Sequence, residues 1–178
     1  MNKMQKLIKI LHQGNYSCVI YNKTIRTFSQ KGVIDLYSLF KKEPFFLEGA
    51  IVADKVIGKA VAILLISSRV KSVYADVISC NALTLLREAG VETDFGQEVP
   101  FIQDKSKTDW CPLEKICHEE KSVEKTLELV EKFVNSMKNE KENIEQALPT
   151  TSGFARAGVY ARSNFCADFQ VCSPPEPL

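Results

Sequence analysis

No stretch of this sequence approaches the roughly 20 consecutive apolar residues that a membrane-spanning helix needs. The longest apolar run, Ala60 to Ile66, is far too short. Neither sign of charge is in excess: 23 basic residues stand against 22 acidic ones, a net charge of +1. No overall field therefore draws the chain to nucleic acid or to an anionic membrane, and neither partner is expected. The N-terminal stretch MNKMQKLIKILHQG places Met4, Leu7, Ile8 and Leu11 at helical spacing and interrupts them with lysines, so it lacks the continuous apolar core of a secretory signal. There is no internal repeat. What is present is ordinary for a soluble globular protein: 178 residues, 45% hydrophobic and 25% charged, enough for one domain with a proper core. Six cysteines (Cys18, Cys80, Cys111, Cys117, Cys166 and Cys172) without a secretory signal imply reduced thiols and a cytoplasmic location.

Along the chain, Asn2 to His12 reads as an amphipathic helix closed by Gly14-Asn15. Tyr16 to Tyr21 and Thr24 to Phe28 are β-rich runs separated by Asn22-Lys23, the pattern of a hairpin. Val33 to Lys42 is a short helix stopped before Pro44. Lys71 to Ser79 is a mainly apolar strand suited to a sheet centre, and Cys80 to Glu88 is a helix closed by Ala89-Gly90. Val91 to Ile102 is extended, with Pro100 arguing for an edge or a strand end. Cys111 lies near the N-cap of a turn that runs to His118, with Pro112 in its first turn. The long helix from Ser122 to about Leu148 carries Val123, Leu127, Val130, Val134 and Met137 on one stripe, which packs on the sheet or on a second subunit. The composition divides the chain into a domain over residues 1–148 and a poorly structured, Pro-rich tail over 149–178. Alternating helices and strands imply an α/β layered domain, in which the strands from Lys71 and Val91 flank a helix and run parallel.

Glu48 to Ile66 reads as a single helix, and as the buried centre of the domain, because its second half is apolar all round. On that reading Asp54, Lys55, Gly58 and Lys59 occupy its first turns, where backbone N–H groups and the helix dipole favour an anion. Lys55 and Lys59, four apart, share one side of such a helix, either as a phosphate or carboxylate clamp or as two solvated lysines. Asp54 serves as a helix cap or as a ligand group. Gly58, costly inside a helix by about 1 kcal/mol, marks a close approach of chain or ligand. Ser79 and Cys80 close a strand and open a helix, the crevice where ligands bind in open α/β sheets. Cys111 is a candidate nucleophile with Glu114 or His118 as its base, or else a buried structural thiol beside Trp110 and Pro112. His12 lies on the first helix, at the surface.

Ala53-Asp54-Lys55-Val56-Ile57-Gly58-Lys59-Ala60, Tyr74-Ala75 with Ile78-Ser79, the segment Leu85 to Gly90, and Cys111-Pro112-Leu113-Glu114 together resemble the uncharacterised family DUF1893, over roughly Leu7 to Cys117. The resemblance implies a three-layer cytidine deaminase-like sandwich: a mixed sheet with helices on both faces and a long C-terminal helix. Zinc deaminases of that fold place His-x-Glu at one helix start and Pro-Cys-x-x-Cys at the next. Here the first position falls on Ala53-Asp54-Lys55 and the second on Ser79-Cys80-Asn81-Ala82-Leu83, so Cys80 stands alone, with Leu83 where a second thiolate belongs. The resemblance thus implies the fold without zinc, and no metal or other cofactor is expected. The C-x5-C-H spacing of Cys111, Cys117 and His118 lacks the two-residue gap of a metal knuckle, and the same gap between Cys166 and Cys172 reads as coincidence rather than as half of a four-thiol site.

Three functions from different classes follow. One is a binding protein that holds a nucleotide or similar anionic small molecule between Asp54, Lys55, Gly58, Lys59, Ser79 and Cys80. Another is an enzyme that uses Cys111 with Glu114, or Lys55 as an amine, covalently. The third is a structural or homo-oligomer-forming module.

Overall fold

The computed structural model describes residues 2–30, 33–104, 106 and 108–146. The tail over 149–178, with its residues Cys166 and Cys172, lies outside the described residues. Helix α1 (Lys3–Gln13) begins on a capping box in which Asn2 and Gln5 each accept the other's backbone N–H, and it stops at Gly14 before a left-handed Asn15. Strands β1 (Cys18–Asn22) and β2 (Thr24–Phe28) form the expected hairpin, and the positive φ of its turn falls on Lys23. Helices α2 (Ile34–Lys42) and α3 (Pro44–Leu47) follow, then β3 (Ile51–Ile57), α4 (Lys59–Ser67), β4 (Ser72–Ser79), α5 (Cys80–Glu88) and β5 (Glu92–Val99). Helix α6 (Pro112–Cys117) and the long α7 (Val123–Gln146) complete the described chain.

The five strands form one mixed sheet in the order β2-β1-β3-β4-β5, with β1 antiparallel to both its neighbours and β3, β4 and β5 parallel. β5 is an edge strand, and it ends immediately before Pro100 as the proline requires. Helices cover both faces. On one side Leu7 and Leu11 of α1 seal Val19 and Ala53. On the other, the larger core gathers Ile20, Val52 and Val73 beneath residues of α2, α4, α5 and α7. Within α7, Val130 and Val134 are fully buried, whereas Val123 is exposed, so the predicted stripe holds in its middle and packs on helices rather than directly on the sheet.

The single helix expected over Glu48 to Ile66 is two elements. Its first half is the strand β3, paired with β1 on one side and β4 on the other, and only its second half is the buried helix. The reason is physical: Ile51, Val52, Val56 and Ile57 are β-branched residues that fit a pleated surface, and two neighbouring strands satisfy their backbone. Gly58 is then the junction between strand and helix, not a defect inside a helix. Helix α4 itself is as buried as its apolar run requires, with Ala60, Ala62, Ile63, Leu64 and Leu65 all in the core.

Candidate functional site

Because β3, β4 and β5 run parallel, their carboxyl ends, at Ile57, Ser79 and Val99, lie along one edge of the sheet. Helix α4 opens there after Gly58, and α5 opens there at Cys80. Open α/β sheets bind ligands at this edge, where helix N-termini converge. The segment after β5 returns across the same edge and delivers α6, whose N-cap is Cys111 with Pro112 in the first turn, as its sequence predicts.

Sequence reasoning paired Lys55 with Lys59, and the structure separates them. Lys55 lies on β3, where its ammonium donates to the Asn15 side chain in the turn after α1. Lys59 is the first residue of α4, is nearly buried, and donates from Nζ to the carbonyls of His118 and Glu120, each at 2.7 Å. Its charge is thereby committed to the carboxyl end of α6, where exposed carbonyls favour a cation. No common helix face joins the two lysines, so the anion clamp expected from their spacing is not assembled. Asp54 is likewise on a strand and caps no helix. It faces Cys18 across the β1–β3 pair and accepts the Val56 N–H at 3.0 Å. Burial lifts its carboxyl to about 7, against the pull of the Val56 and Cys18 hydrogen bonds, with the nearby Asp76 adding to the rise. The Cys18 thiol is raised well above its ordinary range, by burial first and then by Asp54.

The α4 N-terminus is capped from a distance. The carboxylate of Glu114, 3% exposed, accepts the Lys59 backbone N–H through Oε2 at 2.9 Å. Gly58 makes this approach possible, since a Cβ there would stand 2.5 Å from that oxygen and 3.1 Å from Ile102 Cγ1. The other oxygen, Oε1, is buried with no hydrogen-bond partner among the described residues. Glu114 and Cys111 therefore share α6 as expected, but the carboxylate is directed to α4. Cys117, one turn on, is fully buried, and its thiol is pushed up to about 11 by burial and by Glu114, with Lys59 pulling the other way.

At α5, Ser79 is buried, and its Oγ accepts the Ala82 N–H as an N-cap. Cys80 is exposed, and its thiol is raised by a hydrogen bond to Glu98 of β5, with a smaller contribution from desolvation. Beside them, the Asn81 amide lies 3.4 Å from His118 Nδ1, and the His118 ring meets Trp110 edge-on at 4.5 Å while Phe101 stacks on Trp110 at 4.3 Å. The structure thus brings together Gly58, Lys59, Glu114, Ser79 and Cys80, adds Asn81, Glu98 and His118, and leaves Asp54 and Lys55 apart from them. Gly58 was the legible signal of the Glu114 contact, being a glycine that no left-handed turn explains. Asn81 and Glu98 carried none.

These residues do not fit a zinc ion. With α4 beginning at Lys59, the first ligand position moves to Gly58-Lys59-Ala60, which offers no imidazole or carboxylate. At α5 Cys80 is the only thiol at the helix start, and Leu83 is buried where a second thiolate would be needed. Among the described residues no group of three or more His, Cys, Asp or Glu side chains gathers to hold a metal. Among the described residues, too, no helix is long and apolar enough to cross a membrane.

Comparison with known proteins places this geometry in a family. No curated protein matches the chain. Among solved structures, the crystal structure of a DUF1893 family protein, TM1506 from Thermotoga maritima, is 29% identical, covers 73% of this chain and 90% of its own, and superposes with a TM-score of 0.67. Two forms of Acinetobacter baumannii RibD are more distant, at 19% and 20% identity and TM-scores of 0.36 and 0.34, each covering 52% of this chain and about a third of their own. The family model for TM1506, described as a domain of unknown function (DUF1893), matches residues 6–134, from the first helix through the buried part of the last. The chain belongs to the DUF1893 family.

Proposed function

We propose that this protein binds a small organic molecule, of the nucleotide or nucleoside kind, at the carboxyl edge of β3, β4 and β5, between the starts of α4 and α5 and the inner side of α6. The observation that carries this reading is Glu114: an acidic side chain brought from 55 residues away to a helix N-terminus, with one oxygen committed and the other buried without a partner among the described residues. A purely structural helix cap needs only a serine, threonine or asparagine next to the helix. A remote carboxylate set between two helix starts is the kind of polar group that orients a ligand. The covalent alternatives receive less support. Glu114, the base proposed for Cys111, is spent on α4, and Lys55 is engaged by Asn15 on another element. Buried thiols such as Cys18 and Cys117 suit a reducing compartment such as the cytoplasm.

The test is a thermal-shift screen of the full chain against nucleosides, nucleotides and sugar phosphates. A ligand at about 100 times its Kd adds about 2.7 kcal/mol, a rise of roughly 5–10 °C for a domain of this size. We expect at least one such compound to raise the melting temperature and Asn81→Ala to reduce the rise. A screen without a single shift in any of the three classes would leave the structural or oligomer-forming role as the reading to pursue.

A further inference from the structure

From the same site, and resting on the binding function proposed above, we infer the chemical class of the ligand: a molecule presenting an uncharged N–H donor, such as the amino-bearing face of a nucleobase, which Glu114 Oε1 receives at the seam between α4 and α6. Three observations point there. First, Oε1 belongs to a side chain only 3% exposed and lacks a hydrogen-bond partner among the described residues, and a buried carboxylate oxygen left unpaired costs more than an ordinary hydrogen bond returns. Second, the group it lacks is a donor, because a carboxylate oxygen is an acceptor. Third, the site already holds a cation. The Lys59 ammonium sits on the His118 and Glu120 carbonyls, so a cationic ligand would bring a second ammonium beside it. An anion would meet Glu114 in the place at the α4 N-terminus that it would otherwise take, with Glu98 on the adjacent strand end.

A phosphate is therefore not what this end of the site reads, whatever else the ligand carries. Because Oε1 is sealed, the donor reaches it as the six-residue helix α6 parts from α4, against the two bonds from Lys59 Nζ.

The experiment is a titration of the 15N-labelled full chain, followed by backbone amide resonances and by calorimetry. Adenosine, cytidine and guanosine serve as N–H-bearing probes, and inorganic phosphate and ribose 5-phosphate as probes without one. The expected result is saturable binding of at least one nucleoside that moves the Lys59 and Glu114 amides and that weakens at least about tenfold in Glu114→Gln. In that variant the amide oxygen takes the Lys59 N–H, and the NH2 group then faces the ligand donor with a donor. If Glu114→Gln does not fold by circular dichroism, Glu114→Asp, which withdraws the oxygens by one methylene, is held to the same loss. Undiminished nucleoside affinity in the folded variant overturns the assignment. Binding of the two phosphates alone overturns the ligand class and leaves the site standing. Binding of neither kind overturns the class and the site together.

Discussion

Replacing Lys59 by methionine tests how α6 is held. The substitution keeps the length and apolar character of the stem and deletes the ammonium that donates to the His118 and Glu120 carbonyls at 2.7 Å each. Hydrogen bonds from a charged donor contribute about 1.5–3 kcal/mol apiece when partly desolvated, and part of this is returned because the charge no longer has to be buried. A net loss of about 3 kcal/mol follows, or roughly 6–12 °C in melting temperature for a domain of this length. The Lys59 backbone N–H still reaches Glu114 in the variant, so the loss isolates the side chain. Urea unfolding followed by circular dichroism gives the free energy. The chain's one tryptophan, Trp110, edge-on to His118 beside α6, gives a local report through its emission, which should shift to the red as α6 loosens. Lys55→Met is the control: its ammonium makes a surface contact with Asn15, and the change should stay within about 0.5 kcal/mol. Equal stability losses in the two variants, or a Lys59→Met protein within about 1 kcal/mol of the parent, would refute the view that Lys59 pins α6.

Three further outcomes are open to measurement. Gly58→Ala should destabilise by about 1–3 kcal/mol in urea melts, because its Cβ would be forced to 2.5 Å from Glu114 Oε2, whereas a neutral result would mean that the carboxylate moves freely. Asp54→Asn should leave stability unchanged near pH 4 and raise it by about 1–2 kcal/mol at pH 8. The folded carboxyl, at about 7, binds its proton more tightly than the unfolded one, so stability falls as pH rises from about 4 to 7, and the asparagine removes that slope. The figure is kept below the full shift because the side chain is half-buried. Glu98→Gln should speed alkylation of Cys80 by iodoacetamide at neutral pH, since it removes the carboxylate whose hydrogen bond raises the thiol, and an unchanged rate would show that the contact is not formed in solution.

Much of the architecture was legible because local signals agreed with one another. The Gly14-Asn15 stop, the Asn22-Lys23 turn, the Ala89-Gly90 stop and Pro100 at the sheet edge each act over a few residues, and each element ended where they stand. The stretch from Glu48 to Ile66 misled because apolar character all round describes a central strand as well as a buried helix. Only the β-branched residues before Gly58 and the breaker itself distinguished the two. That one error moved the helix start by several residues and carried Asp54 and Lys55 into a site from which their strand removes them. The role of Glu114 was only half legible, for a different reason. Gly58 signalled a close approach, but the group that approaches binds a backbone N–H from far away in sequence, and that leaves no pattern in side-chain type.

The dependence of α4 on that distant cap has a kinetic consequence. A nascent or truncated chain that ends before Pro112 holds the apolar segment Ala60 to Ile66 with no acceptor for its leading amide, and nucleating a helix is costly without one. The central helix should therefore acquire its final register only when α6 arrives, which makes closure of the long loop between them a late event in folding and leaves a sticky interior segment exposed until then.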